Sequence, residues 1–338
     1  MDNKHANHES EVHHHNNGHS HTHGVVDPWV FTSQRGIWAV KWSFVILIIT
    51  ALFQIVVAYI SGSVALLADT VHNIGDAATA LPLWIAFTVA QWKPNRRFTY
   101  GYGKVEDLAG VAVVLVILAS AVVAIYESVD RFFHPRPIEH LWAVIAAALI
   151  GFLGNEIVAI FRMKVGREIG SAALIADGYH ARIDGLTSLS VLLGVVGVWM
   201  GYPIVDSLVG FIISLVILRI VWESGKSVFV RMIDGVDVKI TDEILHGVKH
   251  VEGVKDVTEV RVRWLGHRLH AEVNITVEPD ISVKEGHEIA KEVRHQLLHH
   301  LKYLSNAMIH IDPVGESGEE SHSFINHTHD GLSEHSHF

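Results

Sequence analysis

Six long apolar segments between residues 37 and 222 limit what this chain can fold into. Each is close to or longer than the roughly 20 residues that an α-helix needs to cross a bilayer. We predict spans at Ile37–Tyr59, Val64–Val89, Val105–Tyr126, Leu141–Phe161, Ala172–Met200 and Ile204–Trp222. Only 18% of the residues are charged, whereas a soluble domain has about a quarter, so the sequence indicates an integral α-helical membrane protein.

The charged links between the spans predict the orientation in the membrane. Basic residues follow the second and fourth spans, at Lys93, Arg96, Arg97, Lys104, Arg162, Lys164 and Arg167. Because short basic loops stay in the cytoplasm, we expect both termini to be cytoplasmic. The first thirty residues are polar and His-rich, which is not typical of a cleavable signal peptide, and the chain has no cysteine. These features favour a bacterial inner membrane.

The sequence after residue 233 is that of a small α+β domain. Helical spacing at Thr241–Val251 is followed by two alternating strands, Val257–Trp264 and Leu269–Val277, then by a helix at Ser282–Leu301 and a strand at Ala307–Ile311. This αββαβ order predicts two layers, with the helices on one face of the sheet. We therefore divide the chain into residues 1–34, a six-helix membrane domain at 35–233, a cytoplasmic domain at 234–313 and a tail at 314–338.

The two terminal segments are rich in histidine and polar residues. Residues 1–24 contain eight histidines and residues 314–338 contain five, among Asn, Ser, Glu and Gly. Segments of this composition cannot bury a core, so we expect both to be disordered. The interrupted histidine clusters suit weak metal binding near the cytoplasmic side of the membrane.

A nine-residue pattern occurs twice inside the predicted spans. Residues 68–76 read ADTVHNIGD and residues 176–184 read ADGYHARID. Both contain Asp-x-x-His-x-x-x-Asp, whose three ionisable side chains share one helix face. These residues are Asp69, His72 and Asp76 in the second span, and Asp177, His180 and Asp184 in the fifth. Ionisable residues inside a bilayer are costly, so their repetition indicates a functional site.

The His-x-x-x-Asp pairs of the two spans would supply two imidazoles and two carboxylates. We predict that His72, Asp76, His180 and Asp184 form a tetrahedral site, which is the coordination that Zn²⁺ prefers. Because metal binding needs neutral imidazole and ionised carboxylate, loading the site would displace protons. For Asp69 and Asp177 we expect a supporting or helix-packing role. A structural pair between Arg182 and Asp184 is the competing interpretation of the fifth span.

Other functional classes lack their sequence features. No Gly-x-x-x-x-Gly-Lys-Ser/Thr loop is present, so nucleotide hydrolysis is not the expected energy source. The net charge of −10 argues against nucleic acid as a partner. An intramembrane metallohydrolase would need a general base such as the Glu of His-Glu-x-x-His, and a metal receptor would need a signalling module. We therefore expect a transporter of divalent metal ions, without an organic cofactor, rather than an enzyme.

The chain resembles the cation diffusion facilitator family of metal/proton antiporters from Ile37 to Pro313. The resemblance rests on SVALLADTVHNIGD, RFTYGYGKVEDLAG, ADGYHARIDGLTSLS and NAMIHIDP. It implies a homodimer that exports metal through a site at His72, Asp76, His180 and Asp184, with a metallochaperone-like tail domain. A histidine in the second span is typical of zinc transport in this family. Cobalt, nickel, cadmium and iron(II) remain alternatives, since ligand type alone does not separate them.

The resemblance also implies two features outside the membrane site. One is a regulatory zinc site in the tail domain, at His287, His310 and Asp312. Asn274 stands at a further ligand position, where His270 and Glu272 of the same strand face could substitute. The other is a charge interlock between Lys104 and Asp234; two solvated charges are the alternative there.

Overall fold

A computed structural model describes residues 28–62, 80–133, 140–202 and 204–315. Its helices within the predicted membrane domain are α1 (Pro28–Ser61), α2 (Ala80–Ala90), α3 (Lys104–Phe133), α4 (Leu141–Ile169), α5 (Ala172–Trp199) and α6 (Ile204–Met232). Five of these are long and apolar enough to cross a membrane, and α2 is a shorter apolar helix. The second predicted span is described only in its last part, because residues 63–79 lie outside the described ranges.

The first helix corrects one predicted boundary. We placed the end of the N-terminal segment at residue 34, but α1 begins at Pro28 and includes the last seven residues of that segment. A proline is well suited to the first helical position, because its fixed φ fits the helix and its missing N–H would have no intrahelical partner there. The histidine clusters at residues 1–24 and 316–338 lie outside the described residues.

Among the described helices of the membrane domain, α4 and α5 form the most extensive pair. Glycine permits this close approach: a Cβ atom on Gly178 of α5 would lie 2.7 Å from Met163 Cγ and 3.0 Å from Met163 N of α4. Small residues at a helix interface let two backbones come together inside a membrane. The helix α5 also packs against α3 and α6 through Ala172, Ala176 and Ile183, so most of its surface is covered.

The C-terminal domain contains α7 (Val238–Lys249), β1 (Asp256–Leu265), β2 (Arg268–Val277), α8 (Val283–His300) and β3 (Leu304–Pro313). The strand order is β1-β2-β3, with β1 and β2 antiparallel and β2 and β3 parallel. A parallel pair needs a crossover, which α8 supplies. Ser282 and Glu285 form a capping box that satisfies the first N–H groups of α8.

One sheet face and both helices enclose the core of this domain. Alternate residues of β2 from Leu269 to Val277 are buried against Ile244 of α7 and Val293 of α8. Their neighbours His270, Glu272 and Asn274 therefore lie on the opposite face. The predicted fold class, membrane helices followed by a small α+β domain, is confirmed.

Candidate metal site

The helix α5 carries the described half of the predicted metal site. His180 is 2% exposed, and its Nδ1 lies 3.8 Å from Oδ1 of Asp184, one turn further along the helix. Neither ring nitrogen of His180 has a hydrogen-bond partner among the described residues. A buried polar group without a partner is costly, so this imidazole is suited to bind a group other than those that the described residues supply.

The other half of the predicted site lies outside the described residues. Asp69, His72 and Asp76 all belong to the range 63–79, so the structure does not test whether they meet His180 and Asp184. The four-ligand set therefore stays a prediction. Its α5 half has the geometry of one helix face, with an imidazole and a carboxylate directed to the same side.

Asp177 forms an ion pair with Arg162, which we had predicted to lie outside the membrane helices. We assigned Arg162 to the basic link after the fourth span, but α4 continues to Ile169, and Arg162 is 1% exposed inside the helix pair. Its Nη1 lies 2.9 Å from Oδ2 of Asp177, which is fully buried. The same nitrogen is 3.4 Å from the backbone oxygen of Asp177. This carboxylate thus faces an arginine of the neighbouring helix.

Arg182 binds a carboxylate of the neighbouring helix α4. Its guanidinium contacts Glu156, with Nε 3.2 Å from Oε2 and Nη2 2.5 Å from Oε1. These contacts therefore favour Glu156, and not Asp184, as the structural partner of Arg182. The two arginine–carboxylate pairs join α4 and α5 on either side of His180 along α5.

The predicted tail site is not assembled among the described residues. His310 Nε2 lies 2.9 Å from Asp312 Oδ1, and Asn274 is the strand partner of His310. Glu272 instead receives a hydrogen bond of 3.1 Å from Arg263. His287 is exposed on α8, which covers the other face of the sheet. Within the described ranges, no three His, Asp or Glu side chains are grouped to hold a metal ion.

His270 sits in surroundings that oppose its protonation. Partial burial lowers the pKa of the His270 imidazole below its ordinary value of 6.5, and the positive charges of Arg268 and Arg263 lower it further. A neutral imidazole is the form that binds metals. The nearby arginines would at the same time repel a cation, so the surroundings of His270 do not favour a metal site.

A buried polar cluster joins the C-terminal domain to the membrane helices. His267, in the turn between β1 and β2, places Nδ1 2.6 Å from Glu106 Oε2 and Nε2 2.8 Å from Thr32 Oγ1. The preceding residue of the turn, Gly266, donates its N–H to Asp107 Oδ2 over 3.2 Å. Gly266 has φ +64°, and a Cβ there would lie 2.7 Å from Gly103 O, so a side chain would prevent this docking.

Two further contacts lie at the same junction. Lys104 Nζ is 2.8 Å from Asp234 Oδ1, which brings together the residues of the predicted charge interlock, both half-exposed. Arg231, near the end of α6, stacks its guanidinium 3.9 Å from the ring centroid of Trp264 in β1. Sequence reasoning missed the His267–Glu106 pair, because the two residues are 161 positions apart.

Comparison with known protein families agrees with this architecture. Residues 40–233 match the family model described as cation efflux transmembrane domain. Residues 236–314 match the cytoplasmic domain of cation efflux proteins. The chain belongs to the cation diffusion facilitator family. It is accordingly a membrane transporter for divalent cations, with a cytoplasmic C-terminal domain, and not an enzyme.

One related protein is named for manganese efflux, whereas the name of another states only cation efflux. A "probable cation efflux system protein" of Mycobacterium tuberculosis is 48% identical over 86% of this chain and 87% of its own length. The manganese efflux system protein MneP of Bacillus subtilis is 25% identical over 76% of this chain and 89% of its own. Solved structures of the MamM C-terminal domain include one that is 22% identical, covering 22% of this chain and 95% of that chain, with a TM-score of 0.22.

Proposed function

We propose that this transporter exports Zn²⁺ from the cytoplasm in exchange for protons, through a site formed by His72, Asp76, His180 and Asp184. The observation that carries the proposal is the buried imidazole of His180, which lies beside Asp184 and has no hydrogen-bond partner among the described residues. Two imidazoles and two carboxylates match the nitrogen and oxygen ligands and the tetrahedral preference of zinc.

Proton exchange follows from the same ligands. A ring nitrogen that binds a metal ion cannot also carry a proton, so protons and metal compete for His72 and His180. Loading the site releases protons, and protonation on the other side of the membrane releases the metal. The chain has no cysteine, so no thiolate can be a ligand. The site therefore need not retain the metal strongly.

The membrane arrangement is part of the proposal. We place both termini in the cytoplasm and the protein in a bacterial inner membrane, supported by the basic links and the mycobacterial relative. A homodimer is supported by the match to the cytoplasmic domain of cation efflux proteins. Zn²⁺ is the proposed substrate, and a regulatory Zn²⁺ at His287, His310 and Asp312 would require the tail domain to rearrange.

The decisive experiment is metal uptake into proteoliposomes with an imposed proton gradient and a lumenal pH dye. We expect zinc uptake to be accompanied by proton movement in the opposite direction. Asp184→Asn should reduce zinc uptake at least about 100-fold, because it removes a ligand charge without changing the shape of the side chain. Glu223→Gln, in an exposed ion pair with Arg219 on α6, is the matched control and should transport as wild type does.

The same assay separates the alternative substrates. Cobalt, nickel, cadmium, manganese and iron(II) are offered singly and in competition with zinc. Faster uptake of one of these metals than of zinc would show that this metal, and not zinc, is the preferred substrate. The proposed ligand set would be unchanged. Zinc uptake by Asp184→Asn at the wild-type rate would show that His180 and Asp184 are structural, and the proposed site would then be wrong.

A further inference from the structure

The ion pair between Arg162 and Asp177 is buried as deeply as any charged group that the structure describes. Nη1 and Oδ2 are 2.9 Å apart, and the two side chains are 1% and 0% exposed. Nε and Nη2 of Arg162 have no hydrogen-bond partner among the described residues. Asp177 is therefore the main compensation for the guanidinium charge in the described part of the chain, and an ion pair in such surroundings is costly to break.

The position of the pair relates it to the proposed metal site. His180 and Asp184 stand three and seven residues after Asp177, so the three side chains lie along one face of α5. Gly178 follows Asp177 and packs directly against Met163, the residue after Arg162. The ion pair therefore sits at a close approach of α4 and α5, where it can fix the rotation of α5 about its own axis.

We propose that Arg162 is a positioning residue for transport: by binding Asp177 it holds α5 in the rotation that presents His180 and Asp184 to the metal. The same contact keeps the Asp177 carboxylate out of the ligand set, although its spacing would place it on the ligand face. This inference rests on the proposed function of His180 and Asp184. It assigns a role to Arg162 in the geometry of the site, without contact to the metal.

A neutral double variant tests the proposal, because removing only one partner would leave a buried charge. Arg162→Met with Asp177→Asn removes both charges and retains similar volumes. Folding is checked by size-exclusion chromatography and thermal unfolding in detergent. For folded protein we expect the KM for zinc and the zinc Kd, measured by competition with a chromophoric chelator, to rise about 10- to 100-fold, as for other groups that orient metal ligands. The maximal rate should change much less.

Two comparisons separate positioning from general packing. Arg162→Lys keeps the positive charge, and since only Nη1 contacts the carboxylate, it should restore most of the wild-type KM. The control double variant Arg182→Met with Glu156→Gln neutralises the other pair between α4 and α5, which is about 30% exposed at both side chains. Its KM should stay within about threefold of wild type, because a partly exposed pair contributes less than a fully buried one.

The outcomes are distinct. A folded neutral double variant with wild-type KM and Kd would overturn the proposal, as would an equal rise in the control double variant. If the neutral double variant does not fold, Asp177→Glu is measured instead; it keeps the charge but adds a methylene group, so a raised KM is expected and a wild-type KM refutes the role of Arg162. Loss of transport in Asp184→Asn with normal transport in the Arg162 variants would leave the proposed function standing and remove only this inference.

Discussion

Replacement of His267 by leucine should loosen the docking of the cytoplasmic domain on the membrane helices. The substitution keeps an apolar volume but removes the ring nitrogens that contact Glu106 and Thr32. His267 and Glu106 are 3% and 1% exposed, so the change leaves a buried carboxylate without its closest partner. Breaking a buried pair in this way costs about 3–5 kcal/mol.

We expect the lower end of this range, about 3 kcal/mol, because Arg231 and Ser171 still interact with Glu106. The cost falls on the contact between the two domains rather than on either core. Hydrogen–deuterium exchange of the Gly266 amide reports on this contact, because its N–H is bonded to Asp107 only while the turn is docked. At 1.4 kcal/mol per factor of ten, exchange there should become about 100-fold faster. The amide of Ile275, in the core of β2, should be unaffected.

Lys104→Ala is the matched control at the same junction. Its ion pair with Asp234 is 40% and 48% exposed, so its loss should cost at most about 1 kcal/mol and accelerate exchange at Gly266 less than about tenfold. The double variant His267→Leu with Glu106→Leu removes the orphaned charge and should recover much of the protection. Equal acceleration in His267→Leu and Lys104→Ala, or equal acceleration at Ile275, would refute the reasoning.

Gly178→Ala should lower the free energy of unfolding by about 1–3 kcal/mol, because its new Cβ would lie 2.7 Å from a methionine side chain of α4. Gly225→Ala should raise the free energy of unfolding by about 0.5–1 kcal/mol, because the nearest atom to its new Cβ is 3.5 Å away. Thermal unfolding of both variants in the same detergent measures the two effects, and equal effects would contradict the prediction. His270 should titrate below 6.5 in the metal-free protein, because of its burial and the charges of Arg268 and Arg263. Its contribution to stability is therefore present above pH 6.5 and is lost as the pH falls through the lower pKa of the folded protein. A pH titration of the histidine NMR resonances, assigned by comparison of wild type with His270→Gln, measures this pKa. A value of 6.5 or more would contradict the prediction.

Local patterns in the sequence predicted the elements of the fold well. Apolar length predicted the long helices, because a lipid-exposed segment must satisfy its backbone groups internally over the thickness of the bilayer. Alternation predicted β1 and β2, because one face of the sheet is buried under α7 and α8. Helical spacing likewise predicted that Asp177, His180 and Asp184 share a face.

Long-range pairing was beyond these patterns. Arg162 has the sequence context of a basic link, since it stands at the end of an apolar segment and is followed by Lys164 and Arg167. Only the packing of α4 on α5 places it next to Asp177. The contact of His267 with Glu106 depends on how a turn in one domain meets a helix of the other, and no local spacing encodes such a contact.

The buried polar groups of the membrane helices differ in how closely other groups of the chain compensate them, and this difference indicates where a metal ion could bind. Glu106 is bonded to His267, Asp107 accepts the N–H of Gly266, and Asp177 faces Arg162. Each of these carboxylates is thus compensated by a group of this chain, as the cost of burying an isolated charge requires. The imidazole of His180 is compensated less closely, because Asp184 Oδ1 lies 3.8 Å from its Nδ1 and neither ring nitrogen has a hydrogen-bond partner in the described part of the chain. Buried beside a carboxylate, it is the group whose missing partner a metal ion would supply, and this is why the proposed site is built around α5.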